Sequence, residues 1–199
     1  MCLSPIFSMS APDPPSAPSV PSASSVPSAA LVKSLDELAS NPSVKRVVNK
    51  FEFINGDGSI TKIKIVDISL KTRGPREDKM FKDPNIWRLL PRGLAVIYFV
   101  TPTEEILIGI VTGLRKFGYD GNGYGEANMS HHVPVAEYYL EKANGSAAHY
   151  GFVRAPNGVV FLISGSKSVH IPLRVDHIVE DMAALESEGR YDYALRNAT

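Results

Sequence analysis

Glu141-Lys142-Ala143-Asn144-Gly145-Ser146 separates two apolar runs, and its reading decides what the rest of the chain is for. Before it, Tyr138, Tyr139 and Leu140 read as a short strand; after it, Ala147 to Val153 read as another. Lys142 therefore stands where a strand breaks into an Asn-Gly turn. A lysine so placed can be held at the mouth of a sheet-lined pocket, with the glycine letting the backbone approach a ligand. Asn-Gly is also among the commonest hairpin pairs, which leaves a solvated lysine in an ordinary turn as the alternative.

Working outward towards the C-terminus, Ala148 to Arg154 and Val159 to Ile163 flank Pro156-Asn157-Gly158 and predict a hairpin. Its far strand ends in Ser164-Gly165-Ser166-Lys167-Ser168-Val169-His170. From Asp176, the residues Ile178, Val179, Met182 and Leu185 recur at helical spacing with Gly189 as terminator, so a helix is expected there, and Asp192 to Thr199 should fray.

Towards the N-terminus, Gly113 to Ser130 reads as a glycine-rich loop holding Lys116 and Phe117. Its run Gly121-Asn122-Gly123-Tyr124-Gly125 matches the start of a dinucleotide fingerprint, but no strand precedes it and no long amphipathic helix follows, which excludes a Rossmann site. Asp120, Asn122 and Glu126 lack the twelve-residue spacing of a calcium loop. His131 and His132 are adjacent, so their side chains diverge on any regular element, and they read as solvated rather than zinc-binding.

Gly93 to Val100 and Glu105 to Val111 are very apolar and joined by Thr101-Pro102-Thr103, the pattern of two buried strands. Asp83-Pro84 predicts an N-cap followed by one helical turn packed by Trp87 and stopped by Pro91. Lys71 to Lys82 reads as a charged loop around Gly74-Pro75. Phe51 and Phe53, the turn Asn55-Gly56-Asp57-Gly58, then Ile60, Ile63, Ile65 and Ile68 predict a long, half-exposed hairpin, with Lys62, Lys64 and Asp67 mostly on the opposite parity. Val44, Val47 and Val48 fit either a short helix or a strand entrance. Ser34 and Glu37 form a capping box for a helix that should stop by Asn41-Pro42.

Residues 1–30 are dominated by serine, proline and alanine, with Asp13 their only charge, and read as a disordered tail. Residues 31–199 then form one domain by length. The 199 residues carry no net charge, but the distribution is uneven: net +5 from Leu31 to Arg92 and net −4 from Gly93 to Thr199. That asymmetry permits a phosphate-binding face. Cys2 is the single cysteine, so no internal disulfide forms and a reducing compartment, cytoplasmic or nuclear, is expected. No run approaches the ~18 apolar residues of a membrane span, and no signal peptide or presequence is evident, so the N-terminus reads as uncleaved. Asn128-Met129-Ser130 and Asn144-Gly145-Ser146 match the glycosylation pattern but carry no meaning without secretion.

The basic residues fall in an order that resembles the nucleotidyltransferase domain of RNA ligases, especially bacteriophage tRNA-repair and fungal tRNA-splicing ligases. The matching pieces are Arg92-Gly93-Leu94 opening a strand, Lys116-Phe117 after the next, Lys142-Ala143-Asn144-Gly145 as the active-site lysine motif, and Ser166-Lys167 closing the following hairpin. The likeness spans about Leu31 to Arg174. It implies an α+β, antiparallel-sheet nucleotidyltransferase core of the ATP-grasp-like ligase kind, apparently incomplete. The family's later motifs would follow Lys167, and the 32 residues there match none of them. Such a chain would leave sheet edges open to a partner.

By the same resemblance Lys142 attacks the α-phosphate of ATP, with magnesium, to form a lysyl-adenylate. The amine must be neutral, so its pKa has to fall well below ~10.4, and nearby cations depress it. Arg92, Lys116 and Lys167 would be those cations, and Arg92 and Lys116 would also grip the triphosphate. Gly145 would let the backbone lie against the nucleotide, Glu141 would contribute main-chain contacts to adenine, and Ser166 joins Lys167 among the nucleotide-binding residues. Most of the superfamily has aspartate where this chain has Asn144, a feature shared with the fungal enzymes. The implied partners are ATP and RNA ends, such as tRNA halves, with no membrane. Two rival readings stand beside the ligase: a non-catalytic nucleotide- or RNA-binding remnant of that fold, and an unrelated α+β protein with solvated lysines.

Overall fold

Asn55-Gly56-Asp57-Gly58 reverses the chain because its side chains and backbone bond locally. Asp57 Oδ1 accepts from the Ser59 N–H at 2.9 Å, Asn55 Nδ2 donates to Ser59 Oγ at 2.8 Å, and Gly58 takes φ +81°. This turn joins β1 (Val44–Ile54) to β2 (Ile60–Leu70), paired antiparallel from Ile54 opposite Ile60 to Val44 opposite Leu70. β3 (Leu94–Val100) and β4 (Glu105–Val111) continue the meander, giving a four-stranded sheet in the order β1-β2-β3-β4. A second, three-stranded antiparallel sheet follows, β5 (His149–Arg154), β6 (Val160–Gly165) and β7 (His170–Arg174), also in chain order. Helices among the described residues include α1 (Pro75–Met80), α2 (Pro84–Leu89) and α3 (Ile178–Ser187).

This computed structural model describes residues 33–35, 37–38, 40–72, 75–113 and 147–189. The 1–30 tail, the glycine-rich loop beyond Gly113, His131, His132 and the fraying end from Asp192 lie outside those residues, as do Lys116, Glu141, Lys142, Asn144 and Gly145.

Two apolar clusters hold the layers together. In the first, Phe51, Phe53, Ile63, Ile65, Ala95 and Ile97 of the larger sheet meet Val153, Phe161, Ile163, Ile171 and Leu173 of the smaller. Phe161 is fully buried and tilts 53° across Phe53 at a centroid distance of 5.2 Å. In the second, Val66, Ile68, Leu94 and Val96 pack with Phe81, Ile86 and Leu90 around the short helices, and with Leu35 and Leu38 from the N-terminal helical residues. Because β2 is covered on both sides, its second half lacks the in-and-out alternation of a half-exposed ribbon.

One alternative is settled and three expectations change. Val44 to Val48 are a strand entrance rather than a short helix, because each pairs with β2. The charged loop at Lys71 to Lys82 contains α1, whose buried Glu77 faces the fold. In α2 the Asp83 cap holds, accepting from the Asn85 N–H at 2.9 Å, but Ile86 and Leu90 are the buried packing residues while Trp87 is half-buried. Most consequentially, the run ending at His170 turns back at Ser166 to Val169 and starts β7, a strand whose pairing with β6 supplies the order that its five residues alone do not signal. The closing helix α3 forms as read and stops at Gly189, φ +64°. Its anchor is Asp181, 4 % exposed, which accepts from the Arg174 backbone at 2.8 Å and from the guanidinium at 2.6 Å, while Val179 faces solvent.

Candidate functional site

Asp67 continues the parity of Ile63 and Ile65 on β2, and so is carried between the sheets rather than to solvent. It is 2 % exposed, and a carboxyl so buried needs partners. His170, the first residue of β7 and fully buried, supplies them: its Nδ1 lies 2.6 Å from Asp67 Oδ1, and its backbone N–H donates to Oδ2 at 3.4 Å. Asn49, at the same parity as Phe51 and Phe53 on β1, donates its amide to Oδ2 at 3.3 Å. Burial pushes the Asp67 carboxyl above its ordinary range, and the hydrogen bond and charge of His170, with the Asn49 amide, oppose that rise.

His149 opens β5 and stacks on His170, ring centroids 5.7 Å apart and planes 18° from parallel. The His170 ring faces Gly165, which pairs with His149 on one side and His170 on the other. A Cβ on Gly165 would overlap the His170 ring. On the opposite side His149 fits against Gly93 and Gly113, and a Cβ on either would strike its imidazole. Gly93 also takes φ +60°, a conformation that other residues adopt at a cost. The Gly113 N–H donates to the Arg92 carbonyl at 2.7 Å, so the start of β3 and the end of β4 are tied together beside the ring. Burial, and then the charge of His170, hold His149 below its ordinary value, and the Ser166 main chain pulls the other way.

Three buried nitrogens at this end have no hydrogen-bond partner among the described residues: Arg92 Nε, His149 Nδ1 and His170 Nε2. Native interiors rarely leave such groups unmatched, and these are groups able to donate to an oxyanion or to hold water.

Of the residues singled out from sequence, Arg92 and Ser166 are brought to one place: Arg92-Gly93 lies against His149, and Ser166 follows Gly165 beneath both histidines. Lys167 is turned to α1, where its Nζ meets Glu77 Oε2 at 2.5 Å, with Glu77 buried and the lysine about half-exposed. Asp67, His149, His170, Asn49 and Glu77 were not found from sequence. Asp67, which the residue pattern grouped with Lys62 and Lys64 on the outward parity, instead shares the odd positions of Ile63 and Ile65, and that carboxylate at the buried parity of β2 was the signal. The histidines carried none, since their partners lie in other strands.

The described residues define an α+β protein of two facing antiparallel sheets, with a buried carboxyl–imidazole pair and an arginine gathered at one end. The chain belongs to a family described as a domain of unknown function, DUF7920, whose model matches residues 54–198. No curated protein and no solved structure matches it. Among the described residues no helix is long and apolar enough to cross a membrane, and no group of three His, Cys, Asp or Glu side chains is placed to hold a metal.

Proposed function

We propose that this chain is a nucleotidyltransferase of the RNA-ligase kind, acting on ATP and RNA ends in a reducing compartment. The Lys142 amine would attack the α-phosphorus of ATP. A P–N bond forms, the bond to the bridging oxygen of pyrophosphate breaks, and the amine gives up a proton. The adenylyl group would then pass to an RNA 5′-phosphate, and a 3′-hydroxyl would expel AMP.

The observation that carries this reading is the meeting of Arg92-Gly93, Gly113, His149 and Gly165-Ser166 at one end of the paired sheets. Lys116 comes three residues after Gly113, and Lys142 five before Ala147. The buried, unpartnered Arg92 Nε suits a phosphate oxygen. Magnesium would come as a companion of the triphosphate. When bound it would neutralise phosphate charge.

One observation favours the non-catalytic reading, a nucleotide- or RNA-binding remnant. The charge of Lys167 is already met by Glu77, which lessens its pull on a phosphate. The test is incubation with α-labelled ATP and magnesium, followed by denaturing electrophoresis. Label on the wild type that is lost in Lys142→Ala, with the variant still folded, supports adenylylation. Nucleotide or RNA binding without covalent label would instead support the remnant.

A further inference from the structure

β5 turns alternate side chains outward: Tyr150, 54 % exposed, Phe152, 71 % exposed, and Arg154, also exposed. Across on β6, buried Ser164 stands opposite Tyr150 and half-buried Leu162 opposite Phe152, so the rings rise from a low floor. Two residues along a strand span about 6.8 Å, room for two separate flat ligands on successive rings.

From Ala147 to Arg174, the span of the whole smaller sheet, the sequence has no aspartate or glutamate, and its formal charges are Arg154, Lys167 and Arg174. Lys167 and Arg174 are engaged by Glu77 and Asp181, but Arg154 donates to a carbonyl oxygen, that of Gly158, at 3.2 Å and keeps its charge. The acidic residues of α3 lie beside β7, at the opposite edge of the sheet from β5.

We infer that the outward row Tyr150-Phe152-Arg154 is a stacking platform for single-stranded nucleic acid, with bases on the rings and a phosphate on the guanidinium. Two rings and one leucine form too small an apolar patch for a stable protein interface. Aromatic faces with a neighbouring cation, on a sheet free of carboxylates, match what an unpaired polyanionic strand needs. The inference deepens the proposed ligase reading by giving its RNA a place to lie, and its test needs neither ATP nor Lys142.

The experiment is fluorescence anisotropy with labelled unstructured RNA and DNA 12-mers on the full chain, without nucleotide or magnesium. Tyr150→Ala and Phe152→Ala should each weaken binding at least about fivefold, the lower end of one lost base stack, while Tyr150→Phe and Phe152→Tyr bind as the wild type does. Arg154→Ala should reduce the slope of log affinity against log salt by about 0.7. Tighter binding of RNA than DNA would assign the strand to RNA, and equal binding to single strands in general. No binding by the wild type, or equal binding by the folded Tyr150→Ala/Phe152→Ala double variant, would overturn the platform. So would a double variant that loses self-association but not nucleic-acid affinity, which would make this row a protein contact. If binding behaves as expected but Lys142 takes no label, the platform stands and the ligase reading fails.

Discussion

His170→Ala is the most informative substitution in the described core. It removes a fully buried ring and leaves Asp67, 2 % exposed, without its 2.6 Å partner. The Asn49 amide at 3.3 Å and solvent, which hardly reaches the site, are weak replacements. Breaking a buried pair by removing one partner costs about 3–5 kcal/mol, a large share of the ~5–15 kcal/mol that holds a domain folded. Asp67→Ala leaves His170 with a buried imidazole unpaired at both nitrogens, since Nε2 already lacks a partner, and should cost a similar amount. The double variant strands neither group, so it should be less destabilised than the two singles added together, by about 2–3 kcal/mol of coupling. Urea unfolding followed by the fluorescence of Trp87, the single tryptophan, together with far-ultraviolet circular dichroism, measures all three. Single losses under about 1 kcal/mol would be those of an exposed ion pair. That result, or additivity within about 0.5 kcal/mol, would refute the assignment of the pair as the pin between β2 and β7.

The pH dependence of stability follows from His149. Its folded pKa is depressed below 6.5, so between those two values the unfolded chain binds a proton that the folded one refuses. Stability from this group is complete above pH 6.5 and is lost as the pH falls below it. Asp67 acts with the opposite sign: its raised value means that stability declines as the pH climbs from 3.8 towards the folded pKa. Comparison with His149→Phe, which keeps a ring between the glycines, isolates the first effect, and unchanged urea midpoints between pH 7 and 5 in the wild type relative to this variant would contradict it. Arg174→Lys tests the anchor of α3. Arg174 bonds both Asp181 oxygens and the Ile54 carbonyl at 2.7 Å, and an ammonium cannot span both, so a loss of about 1–3 kcal/mol is expected. A lysine variant as stable as the wild type would show that α3 is held by Leu185 and its apolar neighbours alone.

Elements that carry their own turn chemistry are legible in the order of their residues. Asn55 to Gly58 and Pro156 to Gly158 define two hairpins, Asp83-Pro84 the start of α2, and Gly189 the end of α3. Elements decided by pairing are not legible in this way. β7 has five residues, four of them buried, with no alternation to read, and it exists as a strand because β6 offers it a ladder. α1 hides in a charged run because its most buried described side chain, Glu77, is acidic and matched by a distant lysine, while Met80 is only partly buried against the core.

The candidate site divides along the same line. Sequence by itself determined that cations, glycines and strands recur in the order Arg92, Lys116, Lys142, Lys167, and that the chain is α+β, because residue order and local periodicity are properties of neighbours along the chain. Only the tertiary structure decided that Asp67 meets His170, 103 residues away, that His149 stacks on that ring, and that Lys167 turns to Glu77. Those contacts depend on sheet register and on where one sheet faces the other. A one-residue slip would send each side chain to the opposite face, and no local pattern records which of the two faces finds a partner.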